Sequence, residues 1–334
     1  MSARLGLRLV EVVVWGSLMV LPLVAGEWRV TQVAQFLCYG LFAMSLALIW
    51  GQCGLLCFGH AIFFGIGAYA MSLSTLGLLP GMERISSSYP GLLLAMLLPA
   101  LFAQLLGRFL FSGRGLEGAY FAIVTLAIAV IAERLAVNWD YIGGLNGLMD
   151  VPGLNLGPFS GHEEIWEPRP VYYWTLCITL TAYVLLQALV SSRYGIVLRA
   201  IRENEARTGF FGYDTAAYKV TAFTLAAAVA GLAGALFVTQ FGFASPPLIG
   251  FSLSTEVLIW VALGGRTLLL AAFLGALFVR SLESVLADWL GPYWLLGLGG
   301  VFVGCVILFP RGLFGELLLR GQAGQPPFKR SRSL

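Results

Sequence analysis

The sequence predicts an all-α, polytopic membrane protein with about ten transmembrane helices. Hydrophobic residues make up 59% of its 334 residues, and the mean hydropathy is +0.86. Charged residues account for only 11%, whereas a typical soluble domain carries roughly 25%. The apolar residues are grouped into blocks of about twenty, the length that crosses a bilayer as a helix. Because no Pro/Gly/Ser-rich linker divides these blocks, we expect a single membrane domain over residues 1–320.

Ten blocks are candidate spans. The block at 252–264 is short, and only Gly264-Gly265-Arg266 separates it from the next one, so a broken or re-entrant pair is an open alternative there. The first block ends in small residues typical of a signal-peptide cleavage site, so a retained helix and a removed signal are both compatible with it. The ten candidate spans lie near residues 8–25, 30–50, 54–79, 90–111, 117–137, 171–190, 219–241, 252–264, 267–284 and 293–313.

The distribution of positive charge predicts the orientation in the membrane. With the N-terminus in the cytoplasm, fifteen of the twenty Lys and Arg residues lie on cytoplasmic flanks and three lie outside. Because cytoplasmic flanks are enriched in these residues, we expect both termini to be cytoplasmic, including a basic tail at 321–334 that is predicted to be disordered. The fifteen are Arg4, Arg8, Arg108, Arg114, Arg193, Arg199, Arg202, Arg207, Lys219, Arg266, Arg311, Arg320, Lys329, Arg330 and Arg332.

The same orientation places the longest loop, residues 138–170, outside the cell. This loop is acidic and rich in Trp and Gly, and Arg169 is its only basic residue. Two interpretations are open: a solvated connector, or a lip that receives an external partner and shapes the mouth of a pathway.

A polar segment at 191–219 interrupts the apolar blocks on the cytoplasmic side. Arg199/Glu203 and Glu203/Arg207 are i,i+4 pairs, a spacing that predicts one short amphipathic helix with a ladder of opposite charges. Asp214 follows at the position of an N-cap for the next span. Such a helix is suited to docking a soluble partner, although a solvated connector or a helix resting on lipid headgroups fits the pattern as well.

Several stretches resemble the permease subunits of ABC importers of the high-affinity branched-chain amino acid type. The resemblance covers most of the chain, and its blocks occur in the same order. They are WGQCGLLCFGHAIFFGIGAYA (50–70), GAYFAIVTLA (118–127), GGLNGL (143–148), SRYGIVLRAIRENEARTGFFGYDTAAYKVTAFTLAAAVAGLAGALF (192–237) and STEVLIWVALGG (254–265). The chain departs from the family pattern at Cys57, where serine is common, and at Leu268, Ala271 and Ala272, which alter the Gly-rich pattern after the double glycine.

The resemblance implies a type II ABC importer-like permease fold in a bacterial inner membrane. It also implies four kinds of partner: a second homologous permease, cytoplasmic ATPase subunits, an external solute-binding protein and membrane lipid, with no nucleic acid. The expected substrate is a branched-chain amino acid, and urea or short amides are the alternative that the resemblance leaves open. The residues expected to couple to the ATPase are Arg199, Ala200, Arg202, Glu203, Asn204, Arg207 and Gly212.

No residue of the chain is expected to be catalytic. The sequence has no Gly-Lys-Ser/Thr motif to hold ATP phosphates, so we expect this chain to bind no cofactor and ATP with Mg²⁺ to be used by partner subunits. The cysteine spacing does not suggest a metal site. An intramembrane enzyme would need a motif such as HExxH, which is absent, whereas a proton-coupled carrier or a channel remains a rival class.

Six residues are candidates for the translocation pathway. His60 is the only histidine within a candidate span, and Glu256 lies about four residues into the eighth. Ionisable residues within a membrane are expensive, which makes them functional candidates, although a packed structural histidine and an interfacial glutamate are the plainer interpretations. The six are Gly59, His60, Tyr120, Thr125, Asn146 and Glu256.

Overall fold

The computed structural model describes residues 2–79, 87–111, 118–155, 157, 164–293, 296, 299–300, 303–304 and 312–320. These residues are predominantly helical, and their only β-type pairing consists of two isolated bridges. Twelve α-helices have both ends within the described residues: α1 Ser2–Val24, α2 Glu27–Ala47, α3 Ala61–Thr75, α4 Ser88–Phe111, α5 Gly118–Val137, α6 Pro168–Ser191, α7 Arg193–Glu203, α8 Glu205–Phe210, α9 Thr215–Phe241, α10 Phe251–Gly264, α11 Leu269–Leu290 and α12 Leu313–Arg320.

Six helices of the described residues are long and apolar enough to cross a membrane. They are α2 with the turn that follows it, α4, α5, α6, α9 and α11, and they match six of the ten predicted spans. The prediction at 54–79 was too long, because α3 covers only 15 residues. The predicted span at 293–313 and the tail at 321–334 lie largely or wholly outside the described residues.

Helix α9 lies at the centre of the packing. It contacts α3 and α4 along one side and α2 along another, and α2 in turn contacts α6 and α11. Small residues bring α3 and α9 close together: a Cβ on Gly67 would lie 2.1 Å from the Gly231 carbonyl oxygen, and one on Gly234 would lie 2.0 Å from the Phe64 carbonyl oxygen. Glycine at these positions therefore allows backbone-to-backbone contact, as small residues commonly do between membrane helices.

The helical backbone is interrupted between α2 and α3. The last turn of α2 widens into a π-helix, Leu48–Cys53, which ends at Gly54 in the left-handed conformation with φ 79°. Residues 54–60 are then non-helical before α3 begins. Irregular backbone within a membrane protein is tolerated where it is buried in protein, and most side chains of this connection are buried.

Helices α10 and α11 form an antiparallel hairpin. A Cβ on Gly264 would lie 2.3 Å from the Ala271 carbonyl oxygen, and a Cβ on Gly275 would lie 2.4 Å from the Trp260 carbonyl oxygen. The two helices are thus separate and packed against each other, with a turn at 265–268. At 14 residues, α10 is shorter than a complete span, in keeping with the broken pair considered from the sequence.

The loop at 138–170 is attached to the connection between α9 and α10. Leu148 and Ala244 exchange backbone hydrogen bonds of 2.8 and 2.9 Å, and Val151 donates to the Gly242 carbonyl at 2.9 Å. A Cβ on Gly147 would lie 2.1 Å from the Ala244 carbonyl oxygen, so the GGLNGL stretch needs glycine there. The described part of the loop is therefore a packed element rather than a free connector.

Candidate functional site

The polar segment folds as two short helices rather than one. Helix α7 ends at Glu203, and Asn204 leaves the helical conformation with φ −160°. The Asn204 side-chain oxygen then accepts a hydrogen bond from the Arg207 amide at 2.8 Å and so caps α8. The predicted Arg199/Glu203/Arg207 ladder is wrong, because the break at Asn204 puts Arg207 on a different helix from the other two residues.

Two arginines of α7 instead bind the π-helical turn. Arg199 donates from Nη1 to Gln52 Oε1 at 3.3 Å and to the Val190 carbonyl at 3.0 Å. Arg202 donates from Nη1 to the Gly51 carbonyl. Charge-assisted hydrogen bonds are stronger than neutral ones, so these contacts fix α7 against the end of α2.

The second short helix is held to α9 by an ion pair. Lys219 lies at the start of α9, is only 4% exposed, and pairs through Nζ with Glu205 Oε2. Its ammonium group also lies 5.6 Å from the centre of the Phe111 ring. Asp214 caps α9 as predicted, since its Oδ1 accepts from the Ala217 amide at 3.1 Å.

Helix α7 also stacks on α9. The rings of Tyr194 and Tyr218 lie 5.2 Å apart, and the Tyr194 hydroxyl donates to the Tyr218 carbonyl at 2.9 Å. Burial raises the pKa of Tyr194, so its hydroxyl stays protonated and keeps this hydrogen bond.

The π-helical turn also contacts the α10–α11 hairpin. Gln52 Nε2 donates to the Thr267 carbonyl at 3.1 Å, and a Cβ on Gly51 would overlap the Arg266 carbonyl oxygen at 1.8 Å. The Arg266 guanidinium lies 5.5 Å from the centre of the Trp50 ring. One turn of α2 therefore contacts both the polar segment and the tip of the hairpin.

The outer face of the polar segment is exposed and partly aromatic. Phe210 is 91% exposed and Phe211 is 76% exposed, and Gly212 ends the segment with φ 85°. These two phenylalanines were not among the residues predicted from the sequence, although adjacent aromatics in a polar stretch were a visible signal. The predicted coupling residues that share the exposed surface are Ala200, Arg202, Glu203, Asn204, Arg207 and Gly212.

Three of the predicted pathway residues meet in the interior. His60 is fully buried, and its Nε2 lies 2.8 Å from Ser45 Oγ. The Phe58 amide donates to Thr125 Oγ1 at 3.2 Å, and a Cβ on Gly59 would lie 2.3 Å from the Thr125 carbonyl oxygen.

Hydroxyl groups around this connection accept hydrogen bonds from its backbone amides. The Ala61 amide at the start of α3 donates to Ser254 Oγ on α10 at 3.0 Å. Together with Thr125, Ser254 supplies the acceptors that the missing helical turn would otherwise provide. His60 Nδ1 is buried without a hydrogen-bond partner.

The other three predicted pathway residues lie elsewhere. Tyr120 is 73% exposed near the start of α5, and Asn146 is exposed in the loop that follows α5. Glu256 lies on α10, where its Oε2 is 3.2 Å from Arg280 Nη2. The structure therefore does not bring all six residues to one site.

Arg280 makes several charged and aromatic contacts and was not among the candidate residues predicted from the sequence. It pairs with Glu283 at 2.7 Å as well as with Glu256, and its guanidinium lies 4.1 and 4.8 Å from the rings of Tyr39 and Trp260. A lone arginine within an apolar block was the available signal, but its partners come from three different helices.

These features define a multi-pass membrane protein whose polar segment is bound to the ends of its spans. The chain belongs to the family described as the permease component of branched-chain amino acid transport systems, which matches residues 29–309. This family comprises transport permease subunits rather than enzymes.

Individual relatives are similar over most of their length. The high-affinity branched-chain amino acid transport system permease protein LivM of Salmonella typhimurium is 31% identical over 313 residues, covering 87% of this chain and 71% of its own. LivM of Escherichia coli is 31% identical over 299 residues, covering 82% and 67%. LivH of Escherichia coli, described as a permease protein of the same type of system, is 21% identical over 291 residues, covering 83% and 91%. No solved structure gives a significant match.

Proposed function

We propose that this chain is a transmembrane permease subunit of an ATP-driven importer of branched-chain amino acids in a bacterial inner membrane. The names of its relatives and of its family support the substrate class. Similarity to both LivM and LivH supports pairing with a second, homologous permease. The proposed complex adds cytoplasmic ATPase subunits, which use ATP with Mg²⁺, and an external solute-binding protein. We further propose that the chain has a type II permease fold with about ten spans, which form a single domain. Both termini lie in the cytoplasm in this proposal.

One observation carries the coupling mechanism: the polar segment joins an exposed aromatic surface to the interior of the molecule. Its outer surface presents Phe210 and Phe211, and exposed aromatics are typical anchors of protein interfaces. Its inner contacts run to the π-helical turn through Arg202 and to α9 through the Lys219–Glu205 pair. A partner that moves the outer surface therefore acts on two spans at once.

In this mechanism the ATPase subunits dock on α7 and α8, and their closure displaces the two helices together. Since α7 is held to the π-helical turn, and that turn to Thr267, the displacement reaches the α10–α11 hairpin. Rigid-body movement of packed elements of this kind exchanges outward and inward access in transporters. This movement changes the conformation of the non-helical connection at 54–60, which contains or contacts Gly59, His60 and Thr125. We propose that these three residues control the opening of the translocation pathway at this connection.

The test is uptake by the complete transporter in vesicles. Wild-type complex loaded with ATP and Mg²⁺ should accumulate leucine when the binding protein is present outside. Accumulation that follows a proton gradient without ATP would refute the proposal in favour of a proton-coupled carrier, and uptake of urea in place of leucine would refute the substrate class.

A docking variant tests the coupling surface. Phe210→Ser removes an exposed ring that packs on little of this chain, so the permease should fold normally while its affinity for the ATPase subunits falls about tenfold or more. Trp139→Ser, which alters an exposed aromatic of the loop after α5, is the matched control and should leave ATPase binding unchanged. Equal ATPase binding by wild-type and Phe210→Ser complexes, measured by co-purification at graded ATPase concentrations, would remove α8 from the docking surface.

A further inference from the structure

A cluster of ionisable side chains lies between α2, α10 and α11. Arg280 of α11 binds Glu256 of α10 at 3.2 Å through Nη2 and Glu283 of its own helix at 2.7 Å through Nη1. The arginine side chain is only 16% exposed. The three groups carry one positive and two negative charges, so the cluster has a net charge of −1 when all are ionised.

Aromatic rings hold the arginine in place. The Arg280 guanidinium lies 4.1 Å from the centre of the Tyr39 ring on α2 and 4.8 Å from that of the Trp260 ring on α10. Cation–π contacts of this type strengthen when water is excluded. The Arg280 Nε, however, is buried without an acceptor, so the site does not satisfy all of its own donors.

The two carboxylates differ in exposure. The Glu256 side chain is 43% exposed, whereas that of Glu283 is 26% exposed. An ionised carboxylate that faces lipid is costly, and such groups in membrane proteins face the protein interior or an aqueous pathway. The open side of Glu256 is therefore suited to meet a hydrated pathway and a cationic group within it.

The neighbouring surface is apolar. Ile259 is three residues after Glu256, which places the two side chains on the same face of α10, and Ile259 is half-buried in the hydrophobic core. A positively charged group bound to Glu256 would thus have an aliphatic side chain beside it. An amino acid with a branched aliphatic side chain has this combination of groups.

We propose that Glu256 receives the α-ammonium group of the amino acid in transit and that Arg280 is a positioning residue, which fixes the Glu256 carboxylate against α11. This inference rests on the proposed function and assigns the recognition of the substrate charge to α10. It favours zwitterionic amino acids over neutral solutes such as urea, because a neutral solute leaves the excess carboxylate without a counter-charge.

Leucine uptake by the reconstituted complex provides the first test. Glu256→Gln keeps the size of the side chain and an oxygen that can accept from Arg280, but removes the charge that binds an ammonium group. Uptake should fall about tenfold or more, since hydrogen bonds between charged groups contribute that much. Asp288→Asn, which removes an exposed carboxylate of α11 outside the cluster, is the matched control and should keep most of the uptake. A loss of uptake by Glu256→Gln that is matched by an equal decrease in thermal stability would assign the cluster a structural role and overturn the inference.

The rate at which a reagent modifies a thiol beside the site provides a second test. A purely structural role of the cluster would not make this rate depend on leucine. In a complex that keeps Glu256 and carries Ile259→Cys in a Cys177→Ala/Cys305→Ala background, a water-soluble cationic methanethiosulfonate should modify the introduced thiol beside the proposed site. Millimolar leucine should slow this modification severalfold, whereas 4-methylpentanoate, which lacks the ammonium group, should not. An inaccessible thiol, or equal protection by the two compounds, would overturn the inference.

The outcomes separate this inference from the proposed function. If wild-type complex fails to take up leucine with ATP, the proposed function fails. If the wild type transports leucine and Glu256→Gln transports it equally well, the function stands and the role of Glu256 is refuted.

Discussion

Lys219 attaches α8 of the polar segment to the central helix α9. It is one of only two lysines in the chain, and its ammonium group is buried between Glu205 and the Phe111 ring. In the sequence, Lys219 is recognisable only as a cytoplasmic charge. A buried ion pair contributes little net stability compared with apolar packing, but its disruption leaves a charge without a partner.

We therefore expect Lys219→Met to destabilise the protein by about 1–3 kcal/mol, which is less than a fully buried pair would lose because Glu205 is 28% exposed. The double variant Lys219→Met/Glu205→Gln removes both charges and should recover part of this loss. Denaturant unfolding in detergent, followed by tryptophan fluorescence, measures the difference. A single variant as stable as the wild type would contradict the prediction.

His60 provides a second prediction at the scale of single residues. Its ring is fully buried, stacks on Phe42 with centroids 5.4 Å apart, and binds Ser45. His60→Ala leaves a cavity and should destabilise the protein by about 2–4 kcal/mol, whereas Ser45→Ala should lose about 1 kcal/mol. A double-mutant cycle on unfolding free energies measures their coupling, and a coupling of zero would show that the Ser45–His60 contact is not formed.

The sequence indicated single residues better than their partners. His60 and Thr125 are identifiable because each is a polar residue in an apolar block within a family motif. Their contacts could not be predicted, since Ser254 is 193 residues from the Ala61 amide that it accepts from. Arg280 was visible as a charge inside a span, but the aromatic rings beside it belong to α2 and α10, and their positions depend on tertiary packing.

Close contact between helices is the main feature at the scale of elements. Gly67 on α3 and Gly231 on α9 approach so closely that a Cβ on Gly67 would lie 2.1 Å from backbone. Backbone cannot yield as a flexible side chain can, so added volume there forces the helices apart.

Gly67→Ala should therefore destabilise the protein by about 1–3 kcal/mol despite the higher helix propensity of alanine. Gly16→Ala, in α1, is the matched control because a Cβ there would meet nothing within 4 Å, and it should be neutral or stabilising. The same unfolding measurement compares both variants. Equal stability of Gly67→Ala and the wild type would mean that α3 and α9 are not in contact at this position.

Local sequence rules explain why one element was predicted correctly and another was not. The Asp214 cap of α9 depends on a side chain and an amide three residues apart, which a sequence displays. The i,i+4 spacing of Arg199, Glu203 and Arg207 also fits a continuous helix, but Asn204 competes for the backbone by capping α8. Arg199 and Arg202 instead donate hydrogen bonds to the π-helical turn, which is about 150 residues away in the sequence. The spacing of residues within the polar segment could not reveal so distant a partner.

At the scale of the whole molecule, the apolar blocks predicted six spans well because length and hydropathy alone decide them. They predicted α3 poorly, since residues 54–60 are as apolar as a helix but run through non-helical backbone held by the hydroxyls of Thr125 and Ser254. Hydropathy does not distinguish these two conformations.

The orientation of the molecule is directly testable. Cysteines introduced as Phe210→Cys and Trp139→Cys in a Cys177→Ala/Cys305→Ala background should react with membrane-impermeant reagents from opposite sides. In intact spheroplasts Trp139→Cys should be modified, and Phe210→Cys only after permeabilisation, because positive charge is retained in the cytoplasm. Modification of Phe210→Cys in intact spheroplasts would invert the orientation and remove α8 from contact with any cytoplasmic subunit.

The π-helical turn at Leu48–Cys53 gives α2 one surplus residue in its final turn. If that turn rewound as ordinary α-helix, the chain beyond it would advance by about 1.5 Å and rotate by about 100°. The hydrogen bond from Arg202 to Gly51 places α7 on this turn, and His60 lies only a few residues further along the chain. A small displacement of α7 toward the membrane would then rotate the chain after α2 about the helix axis as well as shift it along that axis. The rotation would change the direction that the connection to α3 faces.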